Sequence, residues 1–596
     1  MASQKFVKQA AICAALLAIV LGIGAGVGIS MRNHRARIFD YSVAPPEDKE
    51  TVGQLDNEDS KKPNIVIIMA DDVGTGDVPF YWPGLNSSQV QMPNLQKLAD
   101  KGVLFTDAHS SPKCAPSRYM LLSGNYPHRG TLQYGVWNVD ADTNQFTANQ
   151  KSIAETLQDA GYHTGMFGKW HLGARVPPNG IKTVNKSLTH VITADGHDWG
   201  QPLIEGPGDI GFDESYMSLG GIQGAPYSFF RNDMLDTNPN NVKYWEGGPH
   251  NTSHGTSLIP KNRPGEGDPS WDSSTYDMVL VNETSKFIDT HLASGSEKPF
   301  FAYVALGAVH DPHSPANEYL DGSPILNVYE TRHLDMLGAM DKAAGSVISM
   351  IEDKGLSEET IIIFTSDNGG LNNRSAWTGH LTNGPLRGAK ASIWEGGHRV
   401  PLIIRYDNEF PPGERRKRMV GLNDIYSTIC KLVGVDVPQG SAQDSVSFAS
   451  YIKSSENKAG LRTYLGSWQL NGKWEHAIRR FNLKLVHFSH NNTFMAYNLK
   501  NDISETINII DKPWVAKKIQ AMYEKLVEIG PCPENDRSDS FRVSGLGEDH
   551  NCEWFRQDTN RCALHFEGEL SCPSICRRFF EKCRQKKMYG NSFNIY

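Results

Sequence analysis

Apolar runs of strand length alternate with helical patterns along most of this chain, and this alternation restricts the fold more than any other feature. Residues Asn64–Ala70 form a continuous apolar run after a polar stretch, as expected for a strand that is covered on both faces. Strands that alternate with helices indicate an α/β domain, with a mostly parallel sheet between two layers of helices. The other predicted strands are 163–167, 300–306, 360–364 and 400–405, and the predicted helices are 92–101, 152–160, 274–291 and 333–354.

The pattern changes near residue 437, where short pieces typical of antiparallel strands begin. These pieces are 462–468, 474–480, 483–487 and 493–499, and a helical pattern at 512–529 follows them. We therefore predict a smaller α+β subdomain, since a chain of 596 residues is too long for one core. The predicted parts are a signal peptide or signal-anchor segment at 1–37, a linker at 38–62, the main domain at 63–437, the α+β subdomain at 438–530 and a Cys-rich tail at 531–596.

The N-terminal segment predicts entry into the secretory pathway. Residues 9–31 carry no charged side chain, and at about 1.5 Å per residue a helix of this length can span a hydrocarbon core of about 30 Å. Basic residues flank both ends, so charge does not decide the orientation. Two alternatives stay open. An uncleaved anchor makes a single-pass membrane protein with a lumenal or extracellular main domain, whereas a cleaved signal peptide makes a secreted or lysosomal protein.

The cysteines and the glycosylation motifs agree with an oxidising compartment. Six of the nine cysteines lie between Cys532 and Cys583, which favours three disulfides whose pairing the sequence does not fix. A zinc site is the competing interpretation, but paired C-x-x-C motifs are missing from this stretch. Secreted glycoproteins carry sugars on N-x-Ser/Thr motifs. The chain has six such motifs, at Asn86, Asn185, Asn251, Asn282, Asn373 and Asn491.

Composition narrows the class of partner. With 39% apolar and 21% charged residues, the chain has the composition of a globular protein. Its net charge of −8 argues against a general nucleic-acid-binding protein, so we expect no nucleic-acid partner.

Acidic and amide side chains follow two of the predicted strands. Asp71 and Asp72 come directly after the first strand, and Asp367 and Asn368 follow the strand at 360–364. Ligands gather at the carboxyl ends of strands in open α/β sheets, so we expect the two pairs to meet although they lie nearly 300 residues apart. Three carboxylates and an amide oxygen suit a hard cation such as Ca²⁺ or Mg²⁺. Taken singly, each pair also fits a turn or a helix cap.

Basic side chains follow other strand-like segments. Lys169 and His171 come after 163–167, His310 comes after 300–306, and Lys390 lies in a Gly-rich loop. Fixed cations beside a metal would stabilise the negative charge that develops when an ester is cleaved. A histidine can also protonate a leaving oxygen, because its pKa lies near neutral pH. The alternative for any single Lys or Arg is a solvated surface charge.

Cys114 begins the motif Cys-Ala-Pro-Ser-Arg, and Tyr-Met-Leu-Leu-Ser-Gly follows it directly. This run resembles the C-x-P-S-R signature of the type I, formylglycine-dependent sulfatases. The stretch from Asn383 to Gly397 is most similar to the arylsulfatase B branch, which removes the 4-sulfate of N-acetylgalactosamine. The resemblance runs from about residue 62 to residue 511, and it implies an alkaline-phosphatase-like α/β fold. The matching segments are 64–72, 114–129, 168–173, 366–370 and 383–399.

The family resemblance also implies roles for single residues. A formylglycine-generating enzyme would oxidise Cys114 to 3-oxoalanine (formylglycine), whose hydrate attacks the sulfur of a sulfate ester. Ser117 would matter for recognition by that enzyme more than for turnover. The implied catalytic residues are Cys114, Arg118, Lys169, His171, His310 and Lys390. The implied ligands of one Ca²⁺ are Asp71, Asp72, Cys114, Asp367 and Asn368.

Two other functions compete with sulfate ester hydrolysis. A phosphohydrolase of the same superfamily would need a Thr or Ser nucleophile and ligands for a second metal, and the Cys114 motif argues against it. A catalytically silent relative that binds sulfated glycans would lack some of these residues, whereas this chain has all of them.

The substrate stays open at this stage, between sulfated glycans and small sulfate esters such as aryl sulfates. Residues 177–271 are rich in aromatic side chains, which would either shape a sugar-binding pocket or only pack the loop against the domain.

Overall fold

The structure is a computed structural model. It describes residues 61–85, 88–131, 137, 144–177, 197–245, 264–371, 376–458, 460–470 and 474–531. The predicted N-terminal segment, nearly all of the linker and the six cysteines of the tail lie outside the described residues, so the disulfide prediction is untested. The described residues belong to one compact unit that begins at Lys61.

The nine predicted strands are all present, with ends that shift by up to two residues. The predicted strand 64–70 is confirmed residue for residue. The strands are β1 (Asn64–Ala70), β2 (Val103–His109), β3 (His163–Lys169), β4 (Glu214–Ser218), β5 (Phe230–Arg231), β6 (Met234–Leu235), β7 (Lys243–Trp245), β8 (Gly265–Gly267), β9 (Phe300–Ala305), β10 (Thr360–Ser366), β11 (Arg399–Arg405), β12 (Glu414–Arg416), β13 (Val420–Gly421), β14 (Tyr464–Leu470), β15 (Trp474–Arg480), β16 (Leu483–Phe488) and β17 (Thr493–Asn498).

Several helices begin at side-chain caps that the sequence supplies. Ser152 and Thr331 each accept a hydrogen bond from the backbone N–H three residues later, which stabilises a helix start. The α-helices are α1 (Pro93–Lys101), α2 (Cys114–Ser123), α3 (Ile153–Asp159), α4 (Tyr276–Ala293), α5 (Arg332–Asp353), α6 (Glu395–His398), α7 (Asp424–Leu432), α8 (Ala449–Lys453) and α9 (Ala516–Ile529).

The main sheet has 11 strands in the order β12-β2-β11-β10-β1-β9-β3-β4-β5-β6, with β13 paired to β2. Its centre, β10-β1-β9-β3-β4, is parallel throughout. Strand β11 runs antiparallel to β10 and to β2. The prediction of a mostly parallel sheet is confirmed, and the carboxyl ends of the central strands form one edge.

Both faces of the main sheet are covered. Ile65, Ile67 and Met69 of β1 pack into one hydrophobic cluster with residues of α2, α3 and α7. Val66 and Ile68 point the other way, into a second cluster with residues of α1, α4 and α5. Because successive side chains of a strand point to opposite faces, a strand between two layers of helices must be apolar throughout.

The predicted α+β subdomain is present as a four-stranded antiparallel sheet, in the order β14-β15-β16-β17. Helix α9 packs on it, with Met522 and Leu526 against Ile478 and Leu485. We call this sheet the C-terminal sheet. The exact limits of the predicted domains stay a prediction.

None of the helices in the described residues is long and apolar enough to cross a membrane. The longest of them, α5, carries charged side chains along its length, which a hydrocarbon core disfavours. This finding contradicts the prediction of a single-pass membrane protein, which we correct here. The apolar segment at 9–31, on which that prediction relied, lies outside the described residues.

Candidate active site

Two pairs of polar residues meet where β1 and β10 end. The strands are parallel neighbours, with Ala70 opposite Ser366, so the residues that follow them lie side by side. The backbone N–H of Asp72 donates to Oδ1 of Asp367 over 3.1 Å, and the amide of Asn368 donates to Oδ1 of Asp72 over 2.8 Å. The predicted convergence of residues nearly 300 positions apart is therefore observed.

Three oxygen atoms of this cluster have no hydrogen-bond partner among the described residues. Oδ1 of Asp71, Oδ2 of Asp72 and Oδ1 of Asn368 are buried and accept no hydrogen bond. Buried polar atoms are nearly always paired, so three buried acceptors without a hydrogen bond in one place are suited to hold a cation. Burial raises the pKa of Asp72 to about 7, with the charges of Asp71 and Asp367 adding to the rise and Lys390 opposing it. A cation would relieve this repulsion, and an oxygen-only ligand set fits Ca²⁺.

Cys114 and Arg118 come from the first two turns of α2. Cys114 is a buried, unpaired thiol at the start of the helix. One turn later, Nη2 of Arg118 lies 2.7 Å from Oδ2 of Asp367, and Nη1 donates to the carbonyl of Lys169 over 3.0 Å. Burial would lower the pKa of Arg118, but the charges of Asp367, Asp71 and Cys114 raise it above its ordinary value. The helix therefore carries Cys114 one turn before the arginine that contacts Asp367.

Lys169, at the end of β3, is fully buried between two acceptors. Its ammonium lies 2.7 Å from Oδ2 of Asp71 and 2.8 Å from Oε1 of Gln223. Gln223, which follows β4 in the segment Gly-Gly-Ile-Gln, was not among the predicted site residues. Its signal was weak, because β4 lacks the apolar run that would have shown a strand ending there.

Two histidines face the same cluster. His171 is buried, and its backbone adopts the left-handed conformation. Burial and the charges of Lys169 and Arg118 lower the pKa of its imidazole well below the ordinary range. The imidazole of His171 is therefore neutral near pH 7. Nε2 of His310 lies 3.6 Å from Oδ2 of Asp72, and its Nδ1 is 2.7 Å from the carbonyl oxygen of Asp311.

Lys390 lies on a loop that contacts both strand ends and the Cys114 loop. Its ammonium lies 2.5 Å from Oδ1 of Asp72, and its backbone N–H donates to the carbonyl of Gly370 over 3.1 Å. The next residue, Ala391, donates to the carbonyl of Pro112 over 2.7 Å. Burial would lower the pKa of Lys390, but Asp72 and Cys114 raise it above its ordinary value, so the lysine stays charged.

The aromatic residues of 177–271 mostly pack into the core. Tyr216, Tyr227 and Phe230 are buried in the two clusters that flank the main sheet. Trp199 is buried as well, whereas Tyr244 is exposed. The packing interpretation therefore fits the described aromatic residues of this stretch better than a sugar-binding pocket.

Comparison with known proteins agrees with this geometry. A model of one protein family, described as Sulfatase, matches residues 63–435, which is more than half of the chain. The chain belongs to the sulfatase family. Like the named relatives of the family, it is a sulfuric ester hydrolase. A second model, described as N-sulphoglucosamine sulphohydrolase, C-terminal, matches residues 389–530 and so includes the C-terminal sheet.

Curated relatives of this sulfatase carry sulfatase names. An N-acetylgalactosamine-6-O-sulfatase of Bacteroides thetaiotaomicron is 29% identical over 466 residues, which is 71% of this chain and 84% of that protein. Human arylsulfatase D is 28% identical, over 69% of this chain and 72% of its own length. A solved structure from work on glycosaminoglycan metabolism by Bacteroides thetaiotaomicron superposes with a TM-score of 0.66 at 24% identity. It covers 79% of this chain and 99% of its own, and it supports the fold.

Proposed function

We propose that this sulfatase hydrolyses sulfate esters of saccharides or aryl alcohols, with a formylglycine made from Cys114 and one bound Ca²⁺. The observation that carries the proposal is the set of three unpaired oxygens on Asp71, Asp72 and Asn368, surrounded by fixed cations. Hydrolysis of an anionic ester needs both the fixed cations and the unpaired oxygens. The cations attract the sulfate, and the unpaired oxygens accept the metal that neutralises it.

The ligands proposed for Ca²⁺ are the side chains of Asp71, Asp72, Asp367 and Asn368, together with residue 114. When bound, the cation would polarise a sulfate oxygen and offset the charge of the three buried carboxylates. Lys169, Arg118 and Lys390 already lie within 4 Å of these carboxylates, so part of that charge is balanced by the protein itself.

Residue 114 is proposed as the nucleophile. A hydrated formylglycine there would supply two hydroxyls, one that attacks sulfur and one whose deprotonation releases the sulfate. Arg118 lies one turn away on the same helix and contacts Asp367, and Lys169 is fixed through Asp71, so both hold positive charge at the proposed metal ligands. The imidazole of His171 is neutral and its Nδ1 has no hydrogen-bond partner among the described residues, so this atom could accept a proton from a hydroxyl of residue 114.

His310 and Lys390 are proposed to serve the leaving oxygen and the sulfate. Lys390 is charged, contacts Asp72 and shares electrostatic contact with Cys114. His310 approaches Asp72 from the loop after β9, on a separate segment from Lys390. Since its Nδ1 donates to the carbonyl of Asp311, its Nε2 is the atom that would donate a proton to a departing alcohol when the ring is in its imidazolium form.

Maturation requires a second protein in this scheme. A formylglycine-generating enzyme is the proposed partner that oxidises Cys114. In the folded structure Ser117 is buried, and its Oγ lies 2.8 Å from the carbonyl of Lys113 and accepts from the N–H of Ser111 over 3.0 Å. Ser117 therefore also fixes the loop that leads to Cys114.

A substrate panel tests the proposal. It contains N-acetylgalactosamine 6-sulfate, N-acetylgalactosamine 4-sulfate and a small aryl sulfate, because the relatives and the arylsulfatase B resemblance point to these classes. We expect sulfate release from at least one of them, and none from a Cys114→Ala variant. The competing hypothesis, a silent relative that binds sulfated glycans, predicts binding without sulfate release by the wild-type protein.

A further inference from the structure

A second buried cluster of charged side chains lies between the main sheet and the C-terminal sheet. None of its members takes part in the proposed reaction. All of them are at most 7% exposed. The cluster, here called the interface network, consists of Asp107 and His109 on β2, Glu395 and His398 on α6, Arg399 on β11, Arg479 on β15, Lys484 on β16 and Glu505 after β17.

The interface network is an ion-pair network rather than a metal site. His109, Glu395 and His398 are close enough together to hold a metal. However, Oε1 of Glu395 lies 3.1 Å from the ammonium of Lys484, and its Oε2 lies 3.0 Å from Nη1 of Arg479. Burial would raise the pKa of Glu395, but these two cations lower it well below the ordinary range. The protein's own cations therefore occupy the carboxylate that a metal would need.

Residues after β15 fix the loop that carries Lys390. Lys484 donates to the carbonyl of Ile393 over 2.9 Å. Oε2 of Glu505 accepts from the backbone N–H of Glu395 over 2.7 Å, and the carbonyl of Glu505 accepts from Arg387 over 2.8 Å. Lys390 thus lies between two anchored positions, one before it and one after it.

The same cluster fixes the loop that leads to Cys114. Arg479 holds Asp107 of β2 with a fork of two hydrogen bonds, 2.7 Å and 3.0 Å long. Immediately after β2, the N–H of Ser110 donates to the carbonyl of His398 over 2.8 Å. Lys113, the residue before Cys114, donates to the carbonyl of Leu470 at the end of β14 over 3.2 Å.

We infer that Arg479 and Lys484 are positioning residues, which hold the Lys390 loop and the Cys114 loop in fixed positions relative to each other. The inference rests on the proposed roles of residues 114 and 390. Buried ion pairs contribute little net stability compared with apolar packing, but they fix geometry because each hydrogen bond has a direction. The C-terminal sheet is thus part of the catalytic apparatus, although none of its residues needs to touch the sulfate.

The test compares Arg479→Lys with a matched control, Arg405→Lys. Arg405 is 1% exposed and also forms a fork, with two bonds of 2.6 Å to Asp407. It lies opposite Ile362, near the start of β10 and so at the far edge of the sheet from Asp367. Each substitution keeps the charge and removes the fork, so both variants should lose a similar free energy of unfolding.

Only Arg479→Lys should slow catalysis. We expect its kcat to fall by about 10-fold to 100-fold, since small misplacements of catalytic groups have effects of this size. The kcat of Arg405→Lys should stay within about twofold of wild type, because Arg405 lies outside the site. Peptide mass analysis of residue 114 in each sample separates an effect on turnover from an effect on maturation. Equal kcat values for the two fully converted variants would overturn the inference.

Two further measurements cover the other outcomes. If Arg479→Lys does not fold, Lys484→Arg replaces it, and we again expect a kcat below that of Arg405→Lys. If the wild-type protein releases no sulfate, the proposed function fails, but the affinity for inorganic sulfate still tests the inference. We expect weaker sulfate binding in Arg479→Lys than in Arg405→Lys. Equal affinities, or no sulfate binding by the wild type, would contradict a positioning role.

Discussion

The active site and the interface network are both buried clusters of acids, bases and histidines, but their carboxylates differ in what surrounds them. In the active site, oxygens of Asp71, Asp72 and Asn368 have no partner in the described structure. In the interface network, both oxygens of Glu395 lie within 3.1 Å of a cation, and Oε1 of Glu505, although it accepts no hydrogen bond, lies 2.8 Å from the ammonium of Lys484. By distance alone, each cluster contains three side chains that could hold a metal.

This difference separates a site that binds a ligand from one that holds a structure. Unpaired buried oxygens carry a desolvation cost that a bound ion would remove, so they indicate that something binds there. Carboxylates that already contact Arg and Lys have no such need, and their bonds fix the relative positions of the chains that carry them. Proximity of acids and histidines is therefore a weaker sign of a metal than the presence of unused ligand atoms.

The largest expected effect is that of Asp367→Asn. This change removes one charge from the metal site and weakens the partner of Arg118, so we expect kcat to fall by about 10³-fold or more. Sulfate release and calcium content of the purified variant are the measurements. The matched change in the interface network, Asp107→Asn, should keep the calcium and lower kcat far less. A similar loss of calcium in both variants would contradict the claim that only the active site binds the metal.

An intermediate effect is expected in the pH dependence of calcium binding. In the calcium-free protein the pKa of Asp72 is raised from 3.8 to about 7, so its proton stabilises the folded state at low pH, and this stability is lost as the pH rises toward 7. Calcium needs the ionised carboxylate, so its affinity should rise with pH up to about 7 and then level off.

Calorimetric titration with calcium between pH 5.5 and about 8 checks this expectation. The slope should approach about tenfold per pH unit below the pKa, and it should flatten in Asp72→Asn. The interface network should leave the slope unchanged, since Glu395 stays ionised throughout this range. If the pH dependence of calcium affinity changed on substitution of Glu395 and not of Asp72, calcium would bind in the interface network and not in the active site.

The smallest effect is expected at a cluster outside both regions. Glu352 contacts Lys101 and Arg405, and although burial opposes the shift, hydrogen bonds from Lys97, Arg405 and Lys101 lower its pKa from 4.5 to about 2. This contribution to stability is present above pH 4.5 and is lost as the pH falls toward 2. Glu352→Gln should cost about 1 kcal/mol at neutral pH, measured by denaturant unfolding, with kcat unchanged. A change in kcat would show that distant ion pairs also affect the site.

The residues of the active site were largely predictable because they follow strands. Asp71 and Asp367 come directly after β1 and β10, Lys169 ends β3, and His310 lies on the loop after β9. A parallel sheet brings such positions to one edge. Strand β2 was missed, since only its first three residues form an apolar run. Gln223 was missed for the same reason, because it follows the polar strand β4.

The interface network was not predictable from local patterns. Arg479 and Asp107 are 372 positions apart, and their contact depends on how the C-terminal sheet packs against β2. His398 belongs to this network through contacts that no local pattern of the sequence indicates, among them a distance of 3.0 Å between its Nδ1 and Nδ1 of His109. Periodicity predicts the elements, whereas contacts between separately predicted parts require the tertiary structure.

The most direct test of the account is the mass of the tryptic peptide that contains residue 114. Cleavage after Lys113 and Arg118 releases Cys-Ala-Pro-Ser-Arg from protein made together with a formylglycine-generating enzyme. The account predicts a peptide with an aldehyde in place of the thiol, and sulfate release in proportion to the converted fraction. Full sulfate release from protein whose residue 114 is entirely unmodified cysteine would contradict it.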